Sequence, residues 1–186
     1  SGCNVVRTGM GPTPMLYYAE AILEVDGGIQ ITGSHNPGHS NGFKMVFQHR
    51  SFFGEDTQTI GRKAAEGDWA DGTGEVTDAY VEDLYVARLV EGFEPGATYR
   101  IGWDAGNGAA GPVIEKLVTL IPGEHHTLFT DVDGNFPNHH PDPTVAENLE
   151  QLQAHVREND CELGIAFDGD ADRIGVVDGK GRILWA

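Results

Sequence analysis

Cysteine is nearly absent: Cys3 and Cys161 are the two in 186 residues, far apart and outside any C-x-x-C pairing. That argues against a disulfide framework and suits a reducing, cytoplasmic compartment. Long apolar runs are missing too. Nothing approaches the ~20 residues that span a bilayer, and no charged segment followed by an apolar one opens the chain, so neither an anchor nor a signal peptide is expected. Positive charge is scarce. Twelve Lys and Arg face 29 Asp and Glu, a formal net charge of −17. A surface of that sign repels nucleic acid and anionic lipid, so neither is an expected partner. Any phosphate chemistry here must gather local positive charge against that field, from a metal or from a few well-placed Lys and Arg.

What is present reads as a soluble α/β protein, with 39% hydrophobic and 22% charged residues and helix-like segments alternating with strand-like ones. Pro12 to Leu23 predicts a helix, with prolines in its first turn and Met15, Leu16, Ala19, Ile22 and Leu23 as its apolar stripe. Gly28 to Thr32 and Phe43 to Phe47 predict strands, Asp56 to Glu66 a helix, and Gly67 to Gly74 a polar linker. Beyond it, Thr77 is a candidate N-cap for a helix whose buried face holds Val81, Leu84, Tyr85 and Leu89. A strand (Tyr99 to Trp103), a helix (Gly111 to Leu120), a strand (His126 to Phe129) and a helix capped by Thr144 (Thr144 to Arg157) follow. A strand (Leu163 to Phe167) and a hairpin from Ile174 through Asp178-Gly179 end the pattern. Two α/β units are expected, 1–76 and 77–186, the first incomplete at its N-terminus.

The most informative stretch is Phe167-Asp168-Gly169-Asp170-Ala171-Asp172-Arg173. Three carboxylates in one turn repel each other unless a cation sits among them, and the small spacers let them converge. Hard oxygen donors of this kind favour Mg²⁺, Mn²⁺ or Ca²⁺. An EF-hand also opens D-x-D-x-D, but it needs Gly at its sixth position and Glu at its twelfth, where this chain has Arg173 and Gly179. A solvated acidic hairpin tip is the plain alternative; the apolar strand before the turn and the regular spacing speak for the cation.

Thr32-Gly33-Ser34-His35-Asn36-Pro37 follows a strand, where α/β proteins place their ligands. Ser34 is not a hydrolase elbow, because G-x-S-x-G needs glycines where Thr32 and Asn36 stand. By itself it reads as a turn serine, and Lys44, ten residues on, as either a surface lysine or a phosphate or acid/base contact. Gly106-Asn107-Gly108-Ala109-Ala110-Gly111 matches G-x-G-x-x-G between strand and helix, with Asp131 twenty residues beyond. It is either a tight packing turn or a dinucleotide fingerprint, and the latter makes a nicotinamide- or flavin-binding (NAD/FAD) oxidoreductase the rival function. The pairs His125-His126 and His139-His140 lack the spacing of common zinc motifs, and no cysteine supports them.

Taken together, Thr32 to Pro37, Asn41-Gly42-Phe43-Lys44 and Asp168 to Arg173 resemble the alpha-D-phosphohexomutases, in order and spacing as well as in residues, over essentially the whole chain from Pro12-Thr13-Pro14. Phe136 to Pro143 (F-P-N-H-H-P-D-P) is similar to the phosphomannomutase/phosphoglucomutase branch. The resemblance implies two α/β/α units and the interconversion of hexose 1-phosphate and hexose 6-phosphate (mannose or glucose). Ser34 would carry the phosphoryl group, and Mg²⁺ would be held by Asp168, Asp170, Asp172 and an oxygen of the phosphorylated Ser34. Lys44 is then the acid/base candidate, His35 a neighbour that polarises the transfer, Arg173 a phosphate contact, and a hexose 1,6-bisphosphate the intermediate. Under it the glycine turn becomes the family's own. The family's opening arginine loop and its third and fourth domains have no counterpart here, so the 186 residues by themselves are expected to lack turnover. Ala171 stands where many relatives have glycine, with no expected loss of metal binding. A non-catalytic metal- or phosphate-binding module is the third reading.

Overall fold

In a computed structural model the chain is described at residues 2–94, 96 and 98–185; the outermost residues of the two expected units, Ser1 and Ala186, lie outside that set. The C-terminal part is built on a mixed sheet. Its strands β6 (Tyr99–Asp104), β7 (Gly123–Leu128), β8 (Leu163–Phe167), β9 (Ile174–Asp178) and β10 (Ile183–Leu184) lie in the order β10-β9-β8-β6-β7. β6 pairs in parallel with both β7 and β8, and β9 returns antiparallel to β8. Period-two alternation sends successive side chains to opposite faces. Ile101 and Trp103 meet Ile114 of helix α4 (Gly111–Leu117) on one face, with Val90 of helix α3 (Glu82–Glu91) packed against them. On the other face Leu152 and Val156 of helix α5 (Glu150–Glu158) bury with Ala166 and Val177. α5 lies close to the sheet because Gly164 has no side chain: a Cβ there would meet Val156 Cγ2 at 2.7 Å and Leu152 Cγ at 3.0 Å. Helices on both faces of this mixed sheet give the α/β/α layering.

Ahead of it, helix α1 (Thr13–Ile22) covers one face of a three-stranded antiparallel sheet, β2 (Gly27–Thr32), β3 (Gly42–Phe47) and β4 (Arg50–Phe52). Leu16 of α1 sits against Gly28 and Val46, while Ile29, Ile31 and Phe43 on the opposite face stay exposed. Helix α2 (Glu55–Glu66) is exposed along its whole length. Two short strands, β1 (Val5–Arg7) and β5 (Val76–Asp78), pair in parallel. Met15 and Ala19 of α1 form a small core with Val81, at the start of α3, which ties the two parts together.

Three sequence expectations are corrected. Thr77 caps no helix: it lies in β5 opposite Val6, and α3 begins at Glu82, because the β-branched pair Val76-Thr77 finds a partner strand. The expected boundary between 76 and 77 therefore falls inside β5. Leu84 is exposed while Val86 is buried, a rotation of the expected face. Thr144 starts no α-helix either. Its hydroxyl donates to Asp142 Oδ1 at 2.7 Å, and the chain makes a 3-10 turn, Ala146–Leu149, before α5.

Candidate active site

β8 ends at Phe167, and the acidic turn that follows folds back on itself through Asp168. The Asp168 carboxylate is fully buried, and its Oδ1 accepts the backbone N–H groups of Asp172 and Arg173, each at 3.0 Å. That is the side chain-to-backbone pattern for which aspartate is chosen in turns. Ala171 takes a left-handed φ of 55°, which costs an L-residue about 1–2 kcal/mol; glycine would adopt it freely. The turn brings one carboxylate oxygen each from Asp168, Asp170 and Asp172 within 4.8 Å of one another.

Ser34 reaches this turn from the loop after β2. It too is left-handed, φ 52°, with its N–H given to Thr32 Oγ1 at 2.8 Å. Its hydroxyl donates to Asp168 Oδ2 at 2.7 Å and accepts from Arg173 Nη2 at 2.9 Å. His35 Nδ1 lies 3.1 Å from the same oxygen and also contacts the Arg173 guanidinium. From β3, Lys44 Nζ donates to Asp170 Oδ2 at 2.7 Å and to Asp172 Oδ2 at 2.5 Å. Two of the chain's twelve Lys and Arg thus converge where the carboxylates do, the local positive charge that the sequence demanded. Burial disfavours the Lys44 ammonium, but its hydrogen bonds to Asp170 and Asp172 outweigh it and hold the group above the ordinary lysine value. Burial likewise raises Asp170, and the bonds from Lys44 and Thr13 more than reverse it, so Asp170 stays ionised.

The acidic cluster fits an oxygen-preferring divalent cation. Asp170 is 4% exposed at its side chain, and while Oδ2 takes two donors, Oδ1 is buried with no hydrogen-bond partner among the described residues. A buried carboxylate oxygen left bare is rare and costly; a cation held among the three carboxylates would be the partner it lacks. Thr13, at the start of α1, entered the sequence reading only as the middle residue of Pro12-Thr13-Pro14, where the resemblance begins. In the fold it donates its hydroxyl to Asp170 Oδ2 at 2.8 Å, a partner that no local pattern signals.

The other sequence candidates are placed elsewhere. The glycine turn is used by the chain itself: Ala109 N–H donates to Gly169 O at 2.9 Å, and a Cβ at Gly111 would collide with the Thr130 carbonyl. The space and amide that a dinucleotide phosphate would use are taken. The histidines do not gather. His125 accepts from Trp103 Nε1 at 3.2 Å, His126 pairs with Glu124, and His140 sits edge-on to His35 with ring centres 6.4 Å apart. His139 Nε2 lies 2.9 Å from Oδ2 of the fully buried Asp104. Burial works against charge on that imidazole, but the hydrogen bond and charge of Asp104 prevail and raise its pKa. A folded pKa above the unfolded value of about 6.5 adds stability fully present below that pH and lost as pH rises through the folded value. Thermal melts of the wild type should therefore fall over the pH range just above 6.5, and those of His139→Asn should fall less. Each kcal/mol lost corresponds to about 2–4 °C in a chain of this size; parallel curves would show that His139 holds its proton no more tightly folded than unfolded.

Against this geometry stand the similarities to known proteins. The family model for phosphoglucomutase/phosphomannomutase, alpha/beta/alpha domain I, matches residues 1–71, and that for alpha/beta/alpha domain II matches residues 78–181. A phosphomannomutase/phosphoglucomutase of Pseudomonas putida is 42% identical over 185 residues, covering 100% of this chain and 40% of the relative. A phosphoglucomutase of Neisseria gonorrhoeae is 44% identical over 188 residues, covering 100% of this chain and 41% of its own. The crystal structure of a phosphoglucomutase/phosphomannomutase family protein from Burkholderia thailandensis superposes with a TM-score of 0.93 at 42% identity, over 98% of this chain and 42% of that one. The chain spans about 40% of the length of the curated relatives it matches.

Proposed function

Because the chain belongs to the phosphoglucomutase/phosphomannomutase family, we propose that it carries the phosphoryl-transfer centre of a mutase interconverting hexose 1-phosphate and hexose 6-phosphate, of mannose or glucose. The observation that carries this reading is the Ser34 hydroxyl, 2.7 Å from Asp168 and 2.9 Å from Arg173 at the edge of the three-carboxylate turn. The two parts, 1–76 and 77–186, divide the work: the first supplies the acceptor serine and Lys44, the second the acidic turn and Arg173. Asp168, Asp170 and Asp172 would hold Mg²⁺, together with an oxygen of the phosphorylated Ser34. When bound, that ion supplies positive charge to the transferring group, most of what phosphoryl transfer requires.

The chain's own residues do the rest. In one direction the bond between Ser34 Oγ and phosphorus breaks as a sugar hydroxyl oxygen bonds the phosphorus, giving a hexose 1,6-bisphosphate. The proton lost by the sugar hydroxyl is made up at the departing Ser34 Oγ, and Lys44, held as an ammonium, is the candidate relay: it would give a proton to Oγ and take the hydroxyl's in return. In the other direction the bisphosphate, reoriented, returns its second phosphoryl group to Ser34. Arg173, already on Ser34 Oγ, is placed to follow the phosphoryl oxygens, and bidentate guanidinium geometry suits them. His35 lies against the same Oγ and steadies its orientation. The partner is thus a phosphohexose, and a cytoplasmic setting agrees with the two unpaired cysteines and with the finding that, among the described residues, no helix is long and apolar enough to cross a membrane.

Incubation of the chain with Mg²⁺ and glucose 1,6-bisphosphate, followed by intact mass spectrometry, tests the reading. One phosphoryl group, ~80 Da, should appear on Ser34 and be absent from Ser34→Ala. Uptake by the alanine variant, or none by the wild type, would remove Ser34 from the reaction.

A further inference from the structure

We propose that Thr13 is a positioning residue for the cation site: it pins one oxygen of Asp170 and so fixes the other for the ion. The inference rests on reading the acidic turn as that site. Thr13 is fully buried, and a buried hydroxyl must find a partner. It does not cap its own helix, which begins without any side-chain cap. Instead, the hydroxyl donates to Asp170 Oδ2 at 2.8 Å, across 157 residues of sequence, and its backbone N–H donates to the Asp170 carbonyl at 2.8 Å. Side chain and main chain of one threonine thus hold side chain and main chain of one aspartate. Its neighbours stiffen the grip. Pro12 and Pro14 have fixed φ angles and no N–H to offer, so Thr13 supplies the one amide of that three-residue stretch.

The consequence lies at Asp170. Lys44 also donates to Oδ2, at 2.7 Å, so one oxygen is saturated by two donors. The other, Oδ1, is buried with no hydrogen-bond partner among the described residues. A carboxylate held this way cannot rotate its bare oxygen into solvent without breaking the Thr13 bond. Outer-sphere groups that orient a ligand are worth about 10–100-fold in metal affinity. Threonine suits the place because its β-branched side chain has few rotamers, and the residue lies in the first turn of α1, a rigid element rather than a loop.

A purely structural role, tying α1 to the second part of the chain, is the competing account, and calorimetric titration of Mg²⁺ alone separates the two. Wild type, Thr13→Ser and Thr13→Val are titrated, and each is also melted in EDTA. The serine variant keeps the hydroxyl and should bind like wild type. The valine variant keeps the shape, loses the hydroxyl, and should bind about 10–100-fold more weakly. Thr13→Ala replaces it if valine does not fold, with the same expectation. A lower melting temperature in EDTA with unchanged Mg²⁺ affinity would show a structural tie only and overturn the proposal. Wild type that binds no Mg²⁺ would remove the cation reading and this inference with it, whereas equal binding by wild type and the hydroxyl-less variant removes the inference alone.

Discussion

Lys44→Met should slow phosphoryl uptake by Ser34 from a hexose bisphosphate by about 10²–10⁴-fold, the usual worth of a positioned proton-transfer group. Lys44 sits in β3 opposite Gln30 of β2, and the strand aims its side chain at the acidic turn, where Nζ meets Asp170 at 2.7 Å and Asp172 at 2.5 Å. Methionine keeps the length and most of the apolar stem but loses the charge and the protons, so packing along β3 should survive. Exposure at the lysine side chain is 29%, which leaves the ammonium reachable by a sugar hydroxyl. Lys44→Arg divides the two services this group could perform. It retains positive charge beside the carboxylates but holds its protons too tightly to exchange them. If arginine is as slow as methionine, the proton matters; if arginine restores the rate, Lys44 acts by charge and its acid/base role falls. The measurement is the time course of the ~80 Da adduct, with thermal melts to confirm folding. A methionine variant as fast as wild type would reduce Lys44 to a counter-ion for the turn.

The acidic turn was legible for a local reason: it is written in six consecutive residues after an apolar strand. The serine loop was not legible alone, since Ser34 by itself reads as a turn serine and drew its expected role from the motifs taken together. Elements set by distant partners were harder to read. β1 and β5 are three residues each and acquire strand form only by pairing with one another. Thr77 and Thr144 look like helix caps in sequence, but Thr77 joins β5 and the Thr144 hydroxyl is captured by Asp142. The pair His125-His126, which lacks zinc spacing in the sequence, is also split by the fold, since neighbours on a strand face opposite ways: His125 of β7 meets Trp103, and His126 meets Glu124 and the ring of His155. The link between Thr13 and Asp170 spans most of the chain and has no spacing rule. Nor did the sequence announce that Asp104 and His139 would pair, since a fully buried aspartate at a strand end shows only once the loop bearing His139 folds over it.

Gly169→Ala should cut the same uptake by about 10²-fold, the cost of misplacing a reacting group by about 1 Å, while sparing the cation site. Gly169 is the point where the serine loop rests on the acidic turn. A Cβ added to it would collide with the Ser34 carbonyl oxygen, and Pro141 Cγ lies 3.6 Å away. Nor can the turn retreat. The Gly169 carbonyl accepts from Ala109 N at 2.9 Å, and its Cα and O already lie 3.0 and 2.7 Å from where a Cβ on Gly108 would stand. Glycine turn, acidic turn and serine loop are stacked backbone on backbone, so the least confined layer must give, and that is the serine loop. Its displacement would break the 2.7 Å bond from Ser34 Oγ to Asp168 Oδ2. Asp168, Asp170 and Asp172, by contrast, project from one turn and keep their mutual geometry, so Mg²⁺ affinity should stay close to wild type. Overpacking of this kind costs about 1–3 kcal/mol, and Gly169 belongs to none of the three hydrophobic clusters, so the chain should still fold. Slow uptake with retained Mg²⁺ binding is the expected pair of results. Undiminished uptake would mean that the serine reacts from a position off the acidic turn, and the contact between Ser34 and Asp168 would then play no part in the transfer.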